Sequence, residues 1–159
     1  MSAGPATVAL RGWGESSDGY HISAPDPAGT GAQLAIERAL ARAGMGPRDI
    51  DYVNLHGTGT IQNDAMEARV VGALFGSERP ISSTKPMTGH ALGAAGAIMQ
   101  DDNSQGALPP HLWDGAQDPQ LPRLYVAQPG PYLGRPVRCA LSNSFAFGGA
   151  NATLVLGRE

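Results

Sequence analysis

The alternation of short apolar strands with helices constrains the fold of this 159-residue chain more than any other feature. Apolar residues at helical spacing predict helices over 30–43 and 64–75, the first capped by Thr30 and both ended by glycine. A third helix, over 90–99, is apolar all round and is expected in the interior. Strands are predicted over 6–13, 50–55, 80–83, 124–127, 136–143 and 151–157. The order β-α-β-α-β-α-β-β-β predicts an α/β fold with a mainly parallel sheet and an antiparallel ending.

Composition excludes several classes of function. The net charge is −3, and we find no basic run and no zinc-finger spacing, so we expect no nucleic-acid partner. No apolar run approaches the roughly 20 residues that span a bilayer, so we expect no membrane association. The first five residues do not resemble a signal peptide, and Cys139 is the only cysteine. These features predict one cytoplasmic domain over residues 1–159.

Three phrases concentrate the chemistry: V-N-L-H-G-T-G-T at 53–60, S-T-K-P-M-T-G-H at 83–90 and S-N-S-F-A-F-G-G at 142–149. The first two carry His56 and His90, and the second also carries Lys85, the only lysine among eleven basic residues. His56 and Lys85 follow predicted strands, and active residues of such sheets lie outside the carboxyl ends of the strands. Imidazole N–H donors stabilise a developing oxyanion, and an ammonium near His90 would keep its ring neutral. The three phrases suit acyl-group chemistry at a carbonyl.

Other residues in or near these phrases have two interpretations. Glu67 either closes a capping box that begins at Asp64 or belongs to the site. The threonines of the first phrase, Thr58 and Thr60, are turn residues or ligand contacts. The aromatic ring of Phe147 either packs in the core or swings on the glycines that follow it.

Two histidines outside these phrases, His21 and His111, are expected to be structural or exposed. The acidic stretch 101–103 lacks the spacing of a calcium loop, so we predict no metal site.

Taken together, the chain resembles the C-terminal half of a β-ketoacyl-acyl-carrier-protein synthase, a condensing enzyme of the thiolase superfamily. The resemblance covers nearly all of the chain and also includes G-W-G-E-S-S-D-G-Y-H near its start and N-D-A-M-E after the first phrase. It implies the αβαβα layered fold of that superfamily. It also implies decarboxylative Claisen condensation, in which malonyl-acyl-carrier protein attacks an acyl thioester during fatty acid or polyketide biosynthesis. No cofactor is implied beyond the phosphopantetheine of the acyl-carrier protein.

The resemblance also implies a role for each matching residue. His56 and His90 match the active-site histidines, and Lys85 matches the lysine beside them. Glu67 matches a buried acid that pairs with the lysine region. The remaining matches concern the pantetheine arm and the acyl pocket: Thr58 and Thr60 contact the arm, Phe147 gates the pocket, and Phe145, Gly148 and Gly149 support that turn.

Two departures from the family limit what the chain alone should do. A condensing enzyme needs a cysteine at a helix start, where the helix dipole lowers its pKa. Cys139 lies instead in an apolar strand, V-R-C-A-L, and is expected to be buried and structural. The interior helix is also about two turns shorter than in the family, which would leave a core cavity.

We therefore expect the chain to be inactive without an N-terminal half that brings the cysteine, and to form a homo- or heterodimer when complete. The alternatives are a non-catalytic thiolase-fold partner that binds acyl-carrier protein, and an inactive remnant.

Overall fold

A computed structural model describes residues 8–90, 105–130 and 132–158 of the chain. Most of the predicted helix over 90–99 and the stretch 101–103 lie outside these residues. The described helices are α1 (Thr30–Ala43), α2 (Ile61–Phe75) and the single turn α3 (Lys85–Thr88). The strands are β1 (Val8–Ser17), β2 (Tyr52–Asn54), β3 (Pro80–Ser82), β4 (Tyr125–Val126), β5 (Cys139–Ala146) and β6 (Ala150–Arg158). Among the described helices, none is long and apolar enough to cross a bilayer.

The described strands form one mixed sheet in the order β1-β6-β5-β2-β3-β4. β2 runs parallel to both β3 and β5, and β3 runs parallel to β4. β6 runs antiparallel to β5 and to β1. The predicted α/β sheet with an antiparallel ending is therefore confirmed. The parallel arrangement puts the carboxyl ends of β2, β3 and β5 at the same edge of the sheet, where the candidate residues lie.

Two apolar clusters hold the sheet between its covering layers. On one face, α1 and α2 pack against side chains such as Val53 and Leu141. On the other face, the connection that contains residues 105–138 covers Tyr52 and Ala140. Neighbouring residues of one strand thus serve opposite clusters, because side chains alternate across a strand. β2 is a short apolar run in the sequence because it is a central strand that is buried on both faces.

The first strand is longer than predicted. The predicted strand ends at Trp13, but β1 pairs with β6 as far as Ser17. A Cβ on Gly14 would lie 1.8 Å from the carbonyl oxygen of Ala35 in α1, so this glycine serves close packing against the helix. The predicted end of the strand at residue 13 is therefore wrong, because Gly14 continues the strand.

The helix starts also differ from the predictions. α1 spans the predicted residues and ends at a left-handed Gly44, but its N-cap is Gly29 and Thr30 is its first residue. α2 begins at Ile61, one turn before the predicted start at Asp64. The capping-box interpretation of Glu67 is therefore wrong, because this residue lies beyond the first turn of α2.

The fifth strand is displaced from its predicted position, whereas β6 contains the whole of the predicted strand over 151–157. β5 begins at Cys139 and continues to Ala146, so residues 144–146, expected in a loop, belong to the strand. They pair in continuous register with β6, which provides hydrogen bonds that the local sequence does not reveal. Cys139, expected to be buried, is only half-buried at the start of β5.

Candidate active site

His56 lies in a tight loop that follows β2. Gly57 and Gly59 both have positive φ angles, of 43° and 75°, which glycine adopts without strain. The carboxylate of Glu67, from α2, accepts hydrogen bonds from the backbone N–H groups of His56 and Gly57, both at 2.8 Å. One acidic side chain therefore fixes the backbone on which His56 is mounted.

Glu67 is itself held from the central strands. Its carboxylate accepts a hydrogen bond at 3.1 Å from the amide of Asn143, whose oxygen accepts one from the hydroxyl of Thr153. Glu67 is only 2% exposed, and burial raises the pKa of its carboxyl, although the two backbone N–H groups and the Asn143 amide oppose this rise. The acid thus has a supporting role beneath the His56 loop, consistent with the site interpretation of this residue.

Lys85 reaches the same loop from the neighbouring strand. It begins α3, three residues after the end of β3, and its ammonium donates a hydrogen bond to the carbonyl oxygen of His56. Burial lowers the pKa of Lys85, whereas the negative charges of Glu67 and Asp64 oppose this decrease. The only lysine of the chain therefore contacts the His56 loop directly.

The two histidines lie next to each other. The ring centroids of His56 and His90 are 5.5 Å apart, with the rings at 79°. The ring of Phe145 also packs against His56, with the two ring centroids 5.7 Å apart. Burial, the Lys85 ammonium and His90 together lower the pKa of His56 to about 4. The ring of His56 is therefore neutral at neutral pH and can donate one N–H to a ligand oxygen.

Two further groups of predicted residues lie at the surface. Thr60 is exposed and Thr58 is half-buried, and their hydroxyls are hydrogen-bonded to each other at 2.9 Å. Phe147 is 86% exposed, so the alternative of an ordinary core residue is wrong. It precedes Gly148 and Gly149, whose φ angles are 81° and 76°.

The backbone of this glycine turn is tied to the loop after β1. Asp18 donates its N–H to the carbonyl of Gly149, and Gly148 donates its N–H to the carbonyl of Ile22, both at 2.8 Å. The exposed ring of Phe147 can rotate, but the turn beneath it is anchored at two points.

Cys139 lies far from these residues. It is six residues before Phe145 on β5, which corresponds to about 20 Å along an extended strand. Burial is the main cause that raises the pKa of its thiol, and the nearby Asp51 carboxylate raises it further. The thiol is therefore neither placed nor activated to react beside His56.

Three residues that were not predicted as site residues help to hold His56, Glu67 and Lys85 in place. Asn143 holds Glu67, while Ser83 and His111 link the Lys85 loop to its surroundings. His111, expected to be structural or exposed, is half-buried and hydrogen-bonded to the backbone of Ser83. Asn143 lies in one of the chemical phrases, whereas nothing near His111 in the sequence indicates its partner. Within the described residues, no three His, Cys, Asp or Glu side chains cluster to hold a metal ion.

Comparisons with known proteins agree on one family. The profile described as beta-ketoacyl synthase, C-terminal domain, matches residues 7–100. The chain is 38% identical over 158 residues to 3-oxoacyl-(acyl-carrier-protein) synthase 2 of Coxiella burnetii, covering 92% of this chain and 37% of that protein. It therefore spans a little over a third of the length of the curated relatives that it matches.

Two solved structures extend the comparison to the fold. One is a ketosynthase in complex with its chain length factor from Xenorhabdus doucetiae, with 40% identity and a TM-score of 0.78 over 99% of this chain and 40% of that one. The other is a type II PKS acyl-carrier protein in complex with its ketosynthase bound to the hexaketide, with 28% identity and a TM-score of 0.81 over 94% of this chain and 38% of that one. The predicted thiolase-like fold class is thereby confirmed.

Proposed function

Because the chain belongs to the β-ketoacyl synthase family, matched in its C-terminal domain, we propose that it supplies the decarboxylation machinery of a 3-oxoacyl-acyl-carrier-protein synthase. In this reaction the bond from the malonyl carbon to its carboxylate breaks, carbon dioxide leaves, and the electron pair forms a thioester enolate. The enolate carbon then attacks an acyl thioester, a carbon–carbon bond forms, and the cysteine thiolate leaves. The observation that carries the proposal is the proximity of His56, His90 and Lys85.

The two imidazoles suit the charge that develops in the first step. The ring centroids are 5.5 Å apart, and we assign to each ring an N–H donated to the same substrate oxygen. Such donors act on the transition state, and each contributes about 3 kcal/mol to lowering the barrier. His56 remains neutral at working pH because its pKa is about 4, so it keeps this role without competing protonation.

In this proposal Lys85 and Glu67 position His56 through hydrogen bonds to its backbone. The ammonium of Lys85 is bonded to the His56 carbonyl, and the carboxylate of Glu67 is bonded to the His56 N–H. Together they fix both polar groups of one residue's backbone without engaging its ring. The positive charge of Lys85 also disfavours the imidazolium form of His56.

The exposed residues of the same edge suit the carrier-borne substrate. Thr58 and Thr60 follow His56 in one loop, and we assign their hydroxyls to the phosphopantetheine arm of an acyl-carrier protein. Phe147 is assigned to the acyl pocket, where its exposed ring can rotate without moving the anchored turn. The partner proposed here is an acyl-carrier protein, in fatty acid or polyketide synthesis.

The acyl-carrying thiol is assigned to a cysteine-bearing half outside these 159 residues. Cys139 does not suit the role, because it lies at the opposite end of β5 and burial raises its pKa. The complete enzyme is proposed to be a homo- or heterodimer.

A mixing experiment tests the proposal. The chain is combined with a separately expressed half that carries the cysteine, and carbon dioxide release from malonyl-acyl-carrier protein is measured separately from elongation. We expect His56→Ala or His90→Ala to reduce carbon dioxide release about 100- to 1,000-fold, because each removes one oxyanion donor. The exposed His21 provides the matched control, and His21→Ala should leave the rate unchanged.

Two outcomes would decide against the proposal. Full carbon dioxide release by both the His56 and His90 variants would show that the imidazoles do not act on the substrate. Tight binding of acyl-carrier protein with no turnover in a well-folded mixture would favour the alternative of a non-catalytic partner.

A further inference from the structure

We propose that His111 is a positioning residue that holds Lys85 and His56 in their mutual arrangement through Ser83. His111 lies in the connection before β4, distant in sequence from both residues, and touches neither ring of the histidine pair in the described contacts. The inference deepens the proposed function, because it concerns the residues assigned to decarboxylation. It nevertheless rests on hydrogen bonds that are independent of any substrate.

The imidazole of His111 is fixed in place from two sides. Its backbone N–H donates to the carbonyl of Ala127 at 2.8 Å, which ties the residue to the end of β4. Its ring lies at 68° to that of Trp113, with centroids 6.4 Å apart. The ring therefore presents Nδ1 in a defined direction, and this atom accepts the backbone N–H of Ser83 at 3.0 Å.

Ser83, which His111 holds, is itself hydrogen-bonded to the His56 loop and to Lys85. Its hydroxyl donates to the carbonyl of Gly57, in the His56 loop, at 3.0 Å. The same hydroxyl oxygen accepts the N–H of Lys85 at 3.4 Å. Ser83 is fully buried, so its backbone N–H depends on an acceptor from the protein. Without the His111 acceptor, Ser83 must shift, and the shift displaces the start of α3, where Lys85 lies.

Only a neutral imidazole protonated at Nε2 can accept the Ser83 N–H at Nδ1. Burial lowers the pKa of His111, whereas the carboxylate of Asp64 in α2 opposes this decrease. The acceptor form is thus maintained at neutral pH.

The experiment compares three substitutions with different acceptors. His111→Ala removes the acceptor, His111→Asn places an amide oxygen close to the position of Nδ1, and His111→Gln places it near the position of Nε2. The measured quantity is the pKa of the His56 ring, followed by NMR titration of the 159-residue chain. Lys85 is one cause of the low pKa of His56, so its displacement raises that pKa from about 4 toward 6.5.

We expect His111→Ala and His111→Gln to raise the pKa of His56 by roughly half a pH unit or more, with faster exchange of the Ser83 amide proton. His111→Asn should keep both quantities near those of the unsubstituted chain, and so should the control His21→Ala. Rescue by asparagine but not by glutamine separates an acceptor at Nδ1 from a ring that merely fills space. If His111→Ala fails to fold, the Asn and Gln variants decide the question between them.

Either of two results would overturn the proposal. One is an unchanged pKa of His56 in all the folded His111 variants. The other is an equal rise in the Asn and Gln variants, since the position of the acceptor would then not matter. Because neither measurement uses catalytic activity, a well-folded unsubstituted mixture that releases no carbon dioxide would refute the proposed function without touching this inference, and the converse also holds.

Discussion

The low pKa of His56 predicts a specific dependence of stability on pH. Above pH 6.5 the ring is neutral in both the folded and the unfolded chain, and the full stability is present. As the pH falls from 6.5 to about 4, only the unfolded chain takes up the proton, so the free energy of unfolding decreases. Below about pH 4 both states are protonated and the loss stops. The sign follows from a folded-state pKa that lies below the unfolded value.

The magnitude follows from the same two values. A decrease from 6.5 to about 4 corresponds to about 3.5 kcal/mol, at about 1.4 kcal/mol per pH unit. Because the folded chain is itself only about half protonated at pH 4, we expect a loss of about 2–3 kcal/mol between pH 7 and pH 4. Such a loss is a large fraction of the stability of an ordinary domain.

Urea denaturation at a series of pH values measures this term when His56→Gln is run in parallel. The substitution removes the titrating ring, while His111 and the carboxylates titrate in both proteins and cancel in the difference. The difference in unfolding free energy should therefore change by about 2–3 kcal/mol across the window, whatever its value at pH 7. A difference that stays flat from pH 7 to pH 4, or an NMR midpoint of His56 near 6.5, would refute the argument that burial and Lys85 keep this ring neutral.

Three further predictions concern packing and the support of the site. Glu67→Gln should lower the free energy of unfolding, measured by urea denaturation, by about 2 kcal/mol, because the amide leaves at least one of two backbone N–H donors without an acceptor. A decrease below about 0.5 kcal/mol would contradict the hydrogen bonds at 2.8 Å. Gly14→Ala should cost more than about 3 kcal/mol, since its Cβ would lie 1.8 Å from the Ala35 carbonyl oxygen, whereas Gly46→Ala, whose nearest neighbour would be 3.8 Å away, should be tolerated. Phe147→Ala should change stability by less than about 0.5 kcal/mol, because the ring is 86% exposed, and a larger loss in thermal unfolding would indicate packing that the structure does not contain.

The local parts of the fold were accessible from the sequence. The periodicity of residues 30–43 and the glycine at 44 located α1 residue for residue, and the short apolar runs located β2 and β3. Errors occurred where a local pattern has two meanings. The predicted strand stops before Gly14 because the sequence does not reveal the helix that packs against this glycine. The start of α2 was misplaced because Thr60 makes no side-chain capping bond and therefore leaves no recognisable signature.

The candidate site divides in the same way. The phrases around His56, Lys85 and His90 indicated which residues to examine, because tight turns and strand ends are encoded by neighbours in the chain. Their partners were not encoded locally. Asn143 is 76 residues from Glu67, and His111 is 28 residues from Ser83.

The sequence by itself determined the order of the elements, the glycine turns and the chemical character of the three phrases. The tertiary structure decided that Glu67 holds the His56 backbone, that Lys85 bonds to the His56 carbonyl, and that His111 anchors Ser83. The physical reason is range. Periodicity and turn geometry depend on residues a few positions apart, whereas buried polar groups take whatever partner the order of strands in the sheet brings within 3 Å.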